Sequence, residues 1–217
     1  MLRFCRSNNQ SKVKEKNIIY AAKAISALFS PFYLAIIGLA ILFVFSYLSL
    51  LPLGYKLSVF AVVYICTVLL PTFLIRVYRR YQGWSRIELG IKERRMIPYV
   101  IAIVCYFLCY YLMNLLHIPH FMSSIIVAAL GIQVMCAIIN LWWKVSTHMA
   151  AIGGVAGALL AFSVMFMFNP TWWFCIIIIL AGMVGTARMI LRQHSLPQVV
   201  TGFLLGLVIA LYAVIHV

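Results

Sequence analysis

Residues 121–168 read FMSSIIVAALGIQVMCAIINLWW, then KVSTH, then MAAIGGVAGALLAFSVMFMF. A long apolar run, five residues rich in polar groups and a second long apolar run follow one another without a break. A helix needs roughly 20 apolar residues to cross the hydrocarbon core of a bilayer. Inside lipid the backbone must satisfy its own hydrogen bonds, so such runs are helical. The short polar stretch is then the turn between two spans, at the level of the head groups.

Working outward, the same reading gives seven candidate spans: Tyr33–Leu53, Leu57–Ile75, Ile97–Leu116, Phe121–Trp143, Met149–Phe168, Trp172–Ala187 and Val199–Val217. Pro and Gly mark several tight connections, as in Pro52-Leu53-Gly54, Ile118-Pro119-His120 and Asn169-Pro170. The fold class expected is all-α: a polytopic membrane bundle of about seven transmembrane helices, with six as the alternative count. Composition agrees, because 66% of the residues are hydrophobic and 9% charged, against about 25% charged in a soluble domain. Two regions follow: a basic, membrane-surface segment over 1–30, with Lys23 turned toward head groups, and a transmembrane domain over 31–217. The first sixteen residues are polar and basic and do not read as a secretory signal.

The net charge of +14 would suit nucleic acid in a soluble protein. Here the cations sit between apolar runs, which excludes that partner. Seven spans place the N-terminus and residues 76–96, 144–148 and 188–198 on one face; of the 17 Lys and Arg, only Lys56 falls on the other. Cytoplasmic loops carry such an excess, so this face is expected to be cytoplasmic, in the inner membrane of a bacterium. Anionic membrane lipids attract the same residues. Arg79, Arg80 and Arg94 read as topology charges, whereas Lys144 is open between topology and chemistry. The six cysteines form no CxxC pair and read as small buried hydrophobes. Gly153, Gly154 and Gly157, and again Gly202 and Gly206, are spaced for close helix approach.

Three polar clusters lie at span ends on the basic face: Lys92-Glu93-Arg94-Arg95 with Pro98, Lys144-Val145-Ser146-Thr147-His148, and Arg188 followed by His194 and Gln198. An even number of spans separates each from the next, so they can meet in one site. Here the chain resembles the type-2 phosphatidic acid phosphatases, whose superfamily includes vanadium haloperoxidases and undecaprenyl-diphosphate phosphatases. Ser146-Thr147-His148 is similar to the family's Ser-Gly-His, and Arg188-x5-His194-x3-Gln198 to its Arg-x5-His-x3-Asp. The His194–Gly202 run is closer to the His-x-x-x-Gln-Val version of the glucose-phosphate and dolichyl-diphosphate branches. The first motif, Lys-x6-Arg-Pro, is blurred around Lys92 and Arg95. The resemblance runs over roughly residues 86–217.

The resemblance implies a membrane-embedded phosphatase acting on a lipid phosphate, with polyprenyl diphosphate first and phosphatidic acid or phosphatidylglycerol phosphate second as substrate. His194 would be the nucleophile, His148 the general acid and base, and Gln198 the group orienting His194. Lys92, Arg95, Ser146, Thr147 and Arg188 would hold the phosphate, since catalysis of phosphoryl transfer is largely positioning and charge stabilisation. Ser195-Leu196-Pro197-Gln198 is also a capping box, so Gln198 can serve the helix start instead. The acidic residues are only Glu15, Glu88 and Glu93, too few for a carboxylate-ligated metal, so no metal or cofactor is expected. The alternative is a non-catalytic lipid-phosphate binding or transport protein that retains the anion site. Nothing in the sequence speaks to oligomeric state.

Overall fold

The computed structural model describes residues 16–45, 50–81 and 92–216, without the side chains of 34, 41, 42, 44, 45 and 92–95. Among these residues every regular element is a helix. Helix α1 covers 16–28. Then come α2 (Pro31–Phe45), α3 (Leu53–Tyr64), α4 (Leu70–Tyr81), α5 (Lys92–Leu115), α6 (His120–Trp142), α7 (Thr147–Met165), α8 (Thr171–Ile190) and α9 (Leu196–His216). A π-helical turn, Ile65–Leu69, joins α3 to α4 just before Pro71, whose nitrogen cannot donate to the ladder.

Among the described residues, six helices are long and apolar enough to cross a membrane: Leu53–Tyr81, Met96–Leu115, His120–Trp142, Thr147–Met165, Thr171–Ile190 and Leu196–His216. The first expected span, Tyr33–Leu53, corresponds to α2 and continues into 46–49, outside the described residues. α2 is itself apolar throughout and packs against α3, α6 and α7. The short span expected to begin at Trp172 does run on through Arg188, as α8. Large apolar side chains stay exposed around the bundle, among them Phe107, Ile179, Leu204 and Val208, as lipid requires. Cys66, Cys105, Cys109 and Cys136 are buried, whereas Cys175 is exposed.

The closest pair of helices is α7 and α9. A Cβ added to Gly206 would strike the Ala150 carbonyl, 2.7 Å from its carbon, and lie 2.9 Å from the Gly154 nitrogen. One added to Gly202 would lie 2.7 Å from the Ser146 carbonyl oxygen. Backbone therefore lies on backbone along this seam, the small-residue mode of association in lipid. Its consequence is positional, because the start of α7 is fixed against the start of α9. Short turns reverse the chain between α5, α6, α7, α8 and α9, so α5, α7 and α9 begin where α6 and α8 end. α1 docks near that end as well: Ile25 and Phe29 pack on the apolar cluster formed by α7, α8 and α9, and Ala22 and Ser26 are buried.

Candidate active site

The turn between α6 and α7 is pinned by one amide. Asn140 Nδ2 donates to the Cys136 carbonyl at 2.7 Å and to the Tyr99 hydroxyl at 3.1 Å, while its Oδ1 accepts the Val145 N–H at 3.1 Å. The turn is thus tied both to α6 and to α5. Ser146 follows as the N-cap of α7, fully buried, and its N–H donates to the Gln198 carbonyl at 3.3 Å. Its hydroxyl is buried without a partner. An N-cap hydroxyl ordinarily bonds a first-turn N–H, and here it does not. His148 is partly buried, with Nδ1 wholly buried and unpartnered. The groups that bear on its imidazole are the Arg188 guanidinium, the Ser26 backbone and the His194 imidazole.

The second half of the site is made where α8 ends. Arg192 takes a left-handed conformation (φ 52°) and the Gln193 N–H reaches back to the Arg188 carbonyl at 3.1 Å. This is a Schellman-type stop, and it folds the chain so that His194 returns over Arg188. Arg188 Nη1 donates to Ser26 Oγ at 2.8 Å, Nη2 lies 3.4 Å from His194 Nε2, and Nε is buried without a partner. His194 Nδ1 lies 3.3 Å from Gln198 Oε1, which also accepts the Ser195 N–H at 3.2 Å. The two expectations for Gln198 are therefore not exclusive: one oxygen caps α9 and faces the imidazole. With Nδ1–H donating to Oε1, the lone pair of His194 is on Nε2, toward Arg188.

Arg188 and His194 border a cavity of about 550 Å³ at the basic end of the bundle. Arg79, Tyr99, Asn140, Lys144, Arg188 and His194 line it together with Gln133 and Thr147, whereas Ser146, His148 and Gln198 stand behind its lining. No carboxylate lines it among the described residues. A concave site with fixed cations and buried N–H and O–H donors is built for an anion.

Of the residues expected from sequence, the structure brings together Ser146, Thr147, His148, Arg188, His194 and Gln198. Lys92 opens α5 at the same end of the bundle, but the side chains of Lys92 and Arg95 lie outside those described. Lys144 and Arg79 both line the cavity; Arg79, expected as a topology charge, reaches it because α4 extends beyond the expected span end at Ile75. Ser26, Tyr99 and Asn140 went unnoticed in the sequence. A signal existed for Asn140, one of two amides in an apolar run with Gln133, since intramembrane polar residues are functional candidates by default. Ser26 is harder to find, though Ala22, Ile25, Ser26 and Phe29 share one helical face.

Among known proteins, no curated sequence and no solved structure matches the chain. The family model of the PAP2 superfamily matches residues 139–217. That stretch holds Ser146-x-His148 and Arg188-x5-His194, while the blurred motif around Lys92 and Arg95 lies before it. The segment that carries His148 and His194 is thus similar to the PAP2 superfamily.

Proposed function

We propose that this protein is a membrane-embedded phosphatase that hydrolyses a lipid phosphate or diphosphate through a phosphohistidine on His194. The observation that carries this reading is the placement of His194: Nδ1 faces Gln198 Oε1, and Nε2 faces the Arg188 guanidinium at the wall of a cationic cavity. The match of residues 139–217 to the PAP2 superfamily supports a phosphatase of lipid phosphates in general.

In the first step Nε2 of His194 attacks phosphorus and the bond from phosphorus to the lipid oxygen breaks. His148 gives its proton to that oxygen, and the lipid alcohol or monophosphate leaves. In the second step the neutral His148 takes a proton from water, the hydroxide attacks phosphorus, and the phosphorus–nitrogen bond breaks to return His194 and free phosphate. Splitting a hard displacement into two steps is the gain from a covalent nucleophile, and one imidazole serves as acid and then base. Arg188, Ser146 and Thr147 hold the equatorial oxygens, with Lys144 and Arg79 adding positive charge. Lys92 and Arg95 would complete the cradle from the start of α5. Gln198 keeps His194 in the attacking tautomer, less forcefully than a carboxylate would. The chemistry is assigned to side chains alone, with no metal ion.

The site would lie at head-group level on the cytoplasmic face. The test is release of inorganic phosphate by purified protein from phosphatidic acid and from a prenyl diphosphate. Release that vanadate inhibits and that His194→Ala abolishes is the expected result. A His194→Ala variant with wild-type turnover would overturn the mechanism. Binding of these lipids without turnover in the wild type would leave a carrier or binding protein in its place.

A further inference from the structure

Helix α1 is short and lightly held. It runs over residues 16–28, about 20 Å of helix at 1.5 Å per residue, and a helix of that length is marginal on its own in water. Within it only Ala22 and Ser26 are buried, and its apolar anchors are Ile25 and, just past its end, Phe29. Yet the site leans on it. Ser26 Oγ accepts from Arg188 Nη1 at 2.8 Å, and the Ser26 backbone bears on the His148 imidazole. Whatever covers the outer side of α1 therefore bears on Arg188 as well.

That outer side has two chemistries, joined end to end. Lys16, Tyr20, Lys23 and Ala27 recur at helical spacing and form one exposed stripe. Lys23 Nζ stands 5.9 Å from the centre of the Tyr20 ring, a cation–aromatic contact. No carboxylate lies on α1. At its Ala27 end the stripe runs into an apolar groove of about 630 Å³, lined by Ala24, Ala27, Leu28 and Phe29 and, from α2, by Tyr33 and Ile37. Tyr33 and Ile37 are exposed and one turn apart, so the groove is open along the outside of the bundle. Its size lies within the roughly 300–1,000 Å³ of ligand sites. The groove shares no lining residue with the cationic cavity; Pro31 and Phe32, at the turn between α1 and α2, line the cavity instead. A basic stripe that leads into an apolar groove matches a molecule with an anionic end and a hydrocarbon end.

We propose that the Lys16–Lys23 stripe and the α1–α2 groove bind an anionic phospholipid that is not the substrate, and that this lipid clamps α1 in place so that Ser26 stays on Arg188. Its phosphate faces the two lysines, and an acyl chain lies along Ala27, Tyr33 and Ile37. The class is a glycerophospholipid with a phosphodiester head group, such as phosphatidylglycerol, which offers a phosphatase of monoesters nothing to cleave. A zwitterionic lipid fills the groove equally well but lacks the net charge. Each lysine near an anionic lipid surface is worth about fivefold in affinity. A ligand that binds only the docked arrangement raises the population of that arrangement. The clamp rests on the phosphatase reading above; the lipid site itself does not.

The test places full-length protein in phosphatidylcholine vesicles with a trace of phosphatidylglycerol or phosphatidylcholine that carries a photoreactive diazirine in its acyl chain. After irradiation, the phosphatidylglycerol probe is expected to label residues 24–37 about 25-fold more than the phosphatidylcholine probe, the product of two lysines. Lys16→Gln combined with Lys23→Gln should bring the two probes level, and Ala27→Trp, which fills the groove, should lower labelling by both. The second readout is kcat/KM for phosphatidic acid. It should rise about tenfold, the worth of a hydrogen bond to a charged group, when unlabelled phosphatidylglycerol replaces part of the phosphatidylcholine. The lysine double variant should keep the rate seen in phosphatidylcholine and lose the rise, which separates the site from a general effect of surface charge. Equal labelling of 24–37 by the two probes in the wild type overturns the proposal, as does a preference that survives in the lysine double variant. Selective labelling without a rise in rate overturns the clamp. Selective labelling in a protein that hydrolyses no lipid phosphate in any vesicle would leave the lipid site standing and remove the catalytic reading instead.

Discussion

Replacing Gly202 by alanine perturbs the site through backbone alone. The new Cβ would lie 2.7 Å from the Ser146 carbonyl oxygen, with Met149 Cβ and Val145 Cγ1 both at 3.4 Å. Ordinary van der Waals contact begins at 3.4 Å, so the first turn of α7 and the start of α9 must separate by about 0.7 Å (3.4 less 2.7). The contact that gives first is the Ser146 N–H to Gln198 carbonyl bond, already 3.3 Å long. Overpacking of this size costs about 1–3 kcal/mol in stability. The larger effect falls on catalysis, because Ser146 and His148 ride on α7 and His194 and Gln198 on the start of α9. A misplacement near 1 Å can cost on the order of a hundredfold in rate, so kcat for lipid-phosphate hydrolysis is expected to fall ten- to a hundredfold. Gly182→Ala on α8 is the control, since its Cβ would meet nothing within 4 Å; it should keep wild-type kcat. Melting temperature and phosphate release are measured on both variants. Wild-type kcat in Gly202→Ala would refute the claim that the α7–α9 seam sets the site.

Ser26→Ala removes the partner of Arg188 Nη1. A hydrogen bond to a charged group is worth about 1.5–3 kcal/mol, so kcat/KM for a lipid phosphate should fall at least about tenfold, although Ser26 touches no substrate. Arg192→Gly relieves a left-handed residue at φ 52°; thermal unfolding should show stabilisation of about 1 kcal/mol. If the basic face is cytoplasmic as proposed, a cysteine placed at exposed Trp143 should resist an impermeant thiol reagent added to intact cells and react once the cells are opened.

How much of this was legible in the sequence follows from what lipid permits. A chain that must satisfy its own backbone in a bilayer leaves only helices to choose, so α5 to α9 fall close to their expected spans. The long helix Leu53–Tyr81 was read short because its last turns are amphipathic, with Arg76, Arg79 and Arg80 interrupting the apolar pattern. Charge counting has a matching blind spot: an arginine that marks topology and one that lines a cavity look alike, and Arg79, read for topology, lines the cavity. Ser146, His148, Arg188 and His194 were legible through spacing, since parity of spans brings them to one end. Ser26 was not, because its place depends on α1 docking against the end of α8, a contact across 162 residues of sequence. The Tyr99–Asn140 pair is visible in the sequence only after α5 and α6 are known to lie antiparallel and in register.

The central claim is that His194 becomes phosphorylated. Acid quenching destroys phosphohistidine, so the measurement is intact-mass analysis after a rapid alkaline quench of enzyme turning over phosphatidic acid. His148→Ala, supplied with an aryl phosphate whose leaving oxygen needs no proton, lacks only the group that activates water and is the variant in which the intermediate should persist. The account predicts one added phosphoryl group on His148→Ala, mapped to the peptide containing His194, and none on His194→Ala. Unmodified protein throughout, with phosphate still released at the wild-type rate by His194→Ala, would contradict it.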